Sequence, residues 1–276
     1  MMPIKPGYIG VLDIGGSLLR CNDFNVNLKQ DALFYDHIIG LRDNIPSGIF
    51  GGKGDVGSLN IQKSIWRPGV KLVRGGFQYP LATEDPLYEL AKTGGSFNMN
   101  FSYSCGIGRQ FSDCKVNSYT FTITAGDYAI VNADVMGRFM EETGSDTLYE
   151  GETKLVTWDD FTISSVAGGG EIQSFTFTVN NNCSPIYTSG SNAEGVNDLA
   201  PLQIRVGMQE LSGTISYYNA GSDIPAIAND PSTITISSGA FSAELSVIFQ
   251  PQERVGAIGP VVSPLNFVGV NYALGE

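Results

Sequence analysis

The chain has 276 residues, of which 42% are hydrophobic and only 16% charged, with 34 Gly and 13 Pro. That length allows a sizeable core in one large domain or two smaller ones, and the composition fits neither a disordered chain nor a membrane protein. Acids outnumber Lys and Arg by 28 to 16, a net charge of −12, which excludes strong general binding to nucleic acid, because such binding relies on cations at the phosphates.

From the N-terminus, Met1 to Gly10 lacks a basic segment followed by a long apolar stretch, so the chain is expected to be made and kept in the cytosol, away from membranes. A first strand pair is predicted over 8–29, turning at Gly15-Gly16. Residues 40–58, with Ile45, Ile49 and Phe50 among many glycines, read as a long irregular loop, and such loops in compact domains are usually functional or mobile. Strands resume at Leu59–Trp66, Lys71–Val73 and Phe77–Pro80. One short helix follows: Thr83-Glu84-Asp85-Pro86 supplies a cap and a proline for the first turn, Leu87, Leu90 and Ala91 recur at helical spacing to Lys92, and Gly94-Gly95 stops it.

Further strands are predicted at 97–105, 114–124, 128–137, 155–165, 172–180, 202–208, 211–218, 232–237 and 241–249. Two of them echo one another. Val116-Asn-Ser-Tyr-Thr-Phe-Thr-Ile123 matches Ile172-Gln-Ser-Phe-Thr-Phe-Thr-Val179, and in each copy aromatic and aliphatic residues alternate with Ser and Thr. Such alternation belongs to antiparallel strands with one face on a core and the other in water, whereas strands of a buried parallel sheet are apolar throughout. The echo also suggests an internal duplication around 116–123 and 172–179. The last segment, 251–276, is apolar but broken by Pro260, Pro264 and glycines, and is expected to be an extended arm docked on this domain or on a neighbouring subunit.

Signals for chemistry are weak throughout. His37 is the only histidine and has no companions for a metal site or a triad, so a surface position beside Asp36 accounts for it. Gly52-Lys-Gly-Asp-Val-Gly57 matches a dinucleotide fingerprint as a string, but a loop precedes it and a strand-like run follows, where the fingerprint needs a strand and then a helix. The adjacent pairs Asp159-Asp160 and Glu141-Glu142 point apart on a strand or turn rather than forming facing carboxylates. Cys21, Cys105, Cys114 and Cys183 are too few and scattered for a disulfide scaffold; free thiols or a Cys105–Cys114 bridge across a hairpin stay open, the reducing cytosol favouring thiols. No catalytic, cofactor or metal residue is assigned, and no enzymatic activity is expected.

Several stretches together resemble the tail tube proteins of tailed bacteriophages: Gly75-Gly-Phe-Gln-Tyr-Pro-Leu81, the helix at 86–92, Phe97 to Cys105, Cys114 to Ile123 with Gly126-Asp127, Ile172 to Asn182 with its Asn-Asn pair, Ile204-Arg-Val-Gly207 and Leu211 to Ser216. The likeness covers most of 8–250. It implies an all-β antiparallel barrel or sandwich over 1–250 with one flanking helix, a loop insertion at 40–58 and the arm 251–276. It further implies a structural virion protein whose rings, hexameric in such tubes, stack into the conduit for genome ejection. The implied partners are further copies, then sheath, baseplate hub or terminator proteins, and DNA passing without specific binding; the implied location is the virion tail, assembled in host cytoplasm. The same fold serves inner tubes of contractile injection systems, and the extra length leaves room for a terminator or hub component, or for a second barrel built on the echo. A carbohydrate- or receptor-binding β-sandwich is the alternative of a different class, although Trp66 and Trp158 sit at strand edges rather than on exposed loops. If DNA does pass, acids should face it, with Asp23, Asp127, Asp134, Asp159 and Asp160 as candidates and Glu141 and Glu142 on an outer turn.

Overall fold

In a computed structural model of the chain, the described residues are 10–35, 65–82, 85–102, 108–143, 154–164, 171–188, 199–219, 231–239, 241–250 and 261–270. His37, the loop 40–58, the 52–57 string and Cys105 lie outside them. Seventeen strands run in chain order: β1 Gly10–Ile14, β2 Ser17–Cys21, β3 Asp23–Phe24, β4 Asn27–Tyr35, β5 Ile65–Pro80, β6 Phe97–Ser102, β7 Gly108–Thr124, β8 Ile130–Gly137, β9 Phe139–Thr143, β10 Thr162–Ser164, β11 Glu171–Asn180, β12 Ser184–Ile186, β13 Gln203–Arg205, β14 Glu210–Asn219, β15 Ser232–Ser237, β16 Ser242–Gln250 and β17 Val261–Gly269. Among the described residues a single helix, α1 (Pro86–Thr93), lies between β5 and β6. The fold is all-β and antiparallel, as expected.

Fifteen strands join one sheet, whose main path runs β10-β15-β16-β17-β14-β11-β7-β6-β1-β2. It divides at the long strand β7. Residues 108–112 of β7 pair with β6 on one side and β9 on the other, whereas its C-terminal half pairs with β8 and β11. Asp113, with a left-handed φ of 53°, and a register shift between Val116 and Ser118 mark the junction; a bulge of this kind bends a strand and re-aims its side chains.

The sheet rolls onto itself. β16 and β7 are four places apart in the strand order, a separation of about 19 Å in a flat sheet. Yet the ring of Phe241, just before β16, stacks on Phe121 of β7 with centroids 4.9 Å apart and planes 4° apart. Phe161, Phe177 and Tyr88 complete this aromatic cluster, and one continuous core runs from Leu12 to Phe267.

The two echoed strands are direct neighbours. β7 and β11 pair with Tyr119 opposite Val179, Phe121 opposite Phe177 and Ile123 opposite Phe175, all six buried in the same core. Alternation therefore marks two strands of one sheet, hydrogen-bonded to each other.

Four expectations change. The segments Lys71–Val73 and Phe77–Pro80 belong to one strand, β5, because Gly75 and Gly76 keep it continuous beneath a crossing chain. A Cβ at Gly75 would lie 2.6 Å from the Asn25 carbonyl oxygen, and the Asn25 amide donates to the Gly76 carbonyl. Over 155–165, a 3₁₀ turn at Trp158–Asp160 precedes the short β10. The apolar stretch expected to dock as an extended arm on this domain or a neighbour includes β17, which lies within the sheet between β14 and β16 and buries Leu265 and Phe267. Pro264, within that strand, is exposed. Glu141 and Glu142 sit on β9 rather than on a turn, both exposed.

Candidate assembly and channel surfaces

The face of the sheet opposite the core follows from the alternation. On β7 the residues between the buried ones are Ser118, Thr120 and Thr122; on β11 they are Ser174, Thr176 and Thr178; on β14 they are Ser212, Thr214 and Ser216. The register sets these side by side. Thr120 and Thr178 share a 2.9 Å hydroxyl contact, Thr176 donates to Thr122 at 3.4 Å, and Thr214 donates to the Asn266 amide oxygen at 2.8 Å. The polar face extends to β8 through Asn132 and Asp134, and to β17 through Asn266, with Val268 beside it. From β17 across to β8, the outward positions named here carry no Lys or Arg; Asp134 and Glu210 lie toward one end, where Lys115 stands opposite Met136. A shallow hollow of about 360 Å³, lined by Thr176, Thr178, Ser212, Thr214, Gln250 and Asn266 among others, opens on it.

The helix is anchored at both ends by buried polar groups. At its N-terminus Asp85 caps the Leu87 amide at 2.9 Å and accepts hydrogen bonds from the Tyr79 hydroxyl at 2.7 Å and the Tyr119 hydroxyl at 2.5 Å. Burial lifts the Asp85 carboxyl above its usual range, although its hydrogen bonds pull the other way. Burial, then the Asp85 charge, likewise pushes both tyrosines far upward. At the other end Asn181, fully buried, donates to the Ala91 and Val116 carbonyls at 2.9 Å each. Gln209 donates to Ala91 at 2.8 Å and to the Asn181 side-chain oxygen at 2.7 Å, and Lys115 reaches the Gly94 carbonyl at 2.6 Å. Helices end in carbonyls without intrahelical partners, and these side chains supply the donors. The sequence placed a cap within Thr83–Pro86, and the structure assigns it to Asp85. The roles of Asn181 and Gln209 have no local signal, because their partners are 90 and 118 residues away.

The predicted acids scatter. Asp23 on β3, Asp127 in the turn after β7 and Asp159 are exposed. Asp134 accepts a hydrogen bond from Asn117 at 2.9 Å, and Asp160 accepts from the Thr157 amide and hydroxyl at 3.0 Å each while pairing with Lys154 at 3.2 Å. The Thr157 amide first, then Lys154, hold the Asp160 carboxyl below its usual range. Cys21, Cys114 and Cys183 are buried free thiols, the first two pushed up to about 12 by burial, so they are poor nucleophiles. Trp158 is half-buried in the 3₁₀ turn, packed against the core. Among the described residues no group of three or more His, Cys, Asp and Glu is placed to hold a metal, and no helix is long and apolar enough to cross a membrane.

The described residues thus form a curled antiparallel sheet with a tethered helix and a broad hydroxyl face. A model of the phage tail tube protein family matches residues 23–269. The chain belongs to that family and has a structural role in the virion tail, where it assembles with copies of itself and with other tail components. No curated protein matches it.

Proposed function

We propose that this chain is the repeating subunit of the tail tube: rings, six subunits in each, stack into a hollow cylinder through which the genome leaves the head. Assembly takes place in the host cytoplasm, with sheath or hub and terminator proteins joining the finished tube. The observation that carries the reading is the hydroxyl face from β17 to β8. Its Ser, Thr and Asn positions carry no Lys or Arg, so over that stretch a phosphate backbone sliding past would find no cation to hold it. Edge strands support the ring. Among the described residues β2 pairs only with β1 and β10 only with β15, and joining such edges between subunits protects them from uncontrolled pairing. The two edges differ, as a head-to-tail ring requires.

The test is direct. The purified chain should form rings or tubes with a central channel in negative-stain images. Discrete monomers that bind glycans would overturn the reading and favour the carbohydrate-binding alternative, for which the hydroxyl-lined hollow would be the natural site. The loop 40–58, outside the described residues, is proposed to bridge successive rings; deleting 45–54 should leave folded protein that does not polymerise, and normal tubes from that deletion would refute the bridge.

A further inference from the structure

We infer that the β12–β13 ribbon is a docking surface for a second copy of this chain, an inference that rests on the tube reading and names one of its contacts. The ribbon packs on its own small apolar cluster, Met136, Cys183 and Ile204, with Val206 against it. Its backbone is held firmly. The Leu202 amide donates to Ile186, the Lys71 amide donates to Leu199, and the Asn182 side chain donates to the Met208 carbonyl at 2.8 Å. On this fixed frame three large apolar side chains point into water: Met208 is 74% exposed, Leu202 44% and Leu199 37%. The same backbone bonds that fix the ribbon prevent these side chains from folding back onto the core.

Charge indicates the occupant. Arg74 and Lys115 flank Met136 in register on either side, beneath the ribbon; Arg205 is exposed on β13; Arg138 reaches the Pro201 carbonyl at 2.8 Å. Nearby acids are Asp113, paired with Arg138 at 2.8 Å, Asp134, bonded to Asn117, and Glu210. Among the described residues these four cations face three acids, two of them already bonded, in a chain where acids prevail 28 to 16. The complementary surface is an acidic one with apolar content, and another copy of this chain, at net −12, presents exposed acids such as Glu141 and Glu142 on β9. Complementary charge across an interface steers like-charged subunits together and fixes their register.

The experiment uses the full-length chain and compares wild type with the Leu202→Asp, Met208→Asp double variant, with Met208→Gln and with Arg205→Glu, each checked for an unchanged melting temperature. Polymerisation is followed by light scattering and negative-stain imaging. The double variant is expected to fold normally but to raise the critical concentration for assembly by about tenfold or more, as expected for truncated interface anchors. Met208→Gln, which cannot disturb the fold from so exposed a position, should show a smaller shift in the same direction. The Arg205→Glu defect should lessen as salt rises, because its repulsion is screened. Wild-type assembly kinetics in all three variants would overturn the inference and leave the tube reading intact. It would also be overturned by variants that make normal pure tubes yet fail to enter complete tails, since the ribbon would then serve a different tail protein. If wild type itself forms no multimer, the tube reading falls, and this inference with it.

Discussion

Asp85 shows how one buried carboxylate serves three partners. It caps α1 and receives two tyrosine hydroxyls, so Asp85→Ala leaves two buried hydroxyls and an amide without an acceptor; at about 1–3 kcal/mol for each orphaned group, the loss should reach roughly 3 kcal/mol or more, read by urea denaturation. Its titration has a definite sign. The folded pKa lies above the ordinary carboxylate value, so its stabilising contribution is fully present below that ordinary value and disappears as pH rises through the folded pKa. Asp85→Asn, an equally good cap, should therefore lose less stability than wild type as pH rises through that window; identical pH slopes would show that Asp85 does not titrate as described. Gly213 is a second sensitive position. An added Cβ would lie 2.1 Å from the Phe267 ring and 2.5 Å from the Thr176 carbonyl oxygen, because that ring covers the glycine across the strand pair. Gly213→Ala should cost about 1–3 kcal/mol through overpacking. Adding Phe267→Leu should relieve only part of this, since the backbone oxygen stays; full recovery would mean that the ring alone sets the constraint.

Among the elements, α1 and β17 hold the closure together. α1 is two turns long, too short to persist alone, and it is helical because its Leu87, Tyr88 and Ala91 face fills the rolled sheet while buried polar groups secure both ends. Asn181→Ala should raise hydrogen exchange in α1 more than in β7 or β11; a uniform increase would argue against a local anchor. β17 pairs along eight residues with β14 and along four with β16. Truncation after Gln250 removes it from the middle of the sheet and exposes two raw edges, so the product should lose its near-UV circular dichroism and aggregate. A truncated chain with a native spectrum and a cooperative melt would show that β17 is dispensable to the fold.

At the scale of the whole molecule, the acidic excess finds its test in the assembled tube. Asp134 and Asp160 hold local structure, so the exposed Asp23, Asp127 and Asp159 are the acids to change. If they face the bore, replacing them with Lys should leave tubes intact but slow DNA ejection, most of all at low salt, where screening is weak. A solved tube with a basic inner wall and these acids outside would remove electrostatic repulsion from the mechanism, leaving the net charge as a matter of solubility.

Much of this was legible along the chain because period-two alternation is a local property. Tyr119, Phe121 and Ile123, or Phe175, Phe177 and Val179, declare a buried face without reference to any other residue, and Asp85-Pro86 with Gly94 delimits the helix by its caps alone. The hydroxyl face was equally present in the Ser and Thr between those residues. What only the tertiary structure decided were the relations between distant segments. The echoed strands became neighbours in one sheet, β5 ran unbroken through two glycines because the Asn25–Val26 segment crosses them, and the supposed arm became an interior strand because β14 and β16 each had an edge to fill. Asn181 and Gln209 acquired their function from helix carbonyls far away in sequence. Periodicity encodes which way a side chain points; which backbone lies beside it depends on pairing between segments, and that is settled only when the sheet closes.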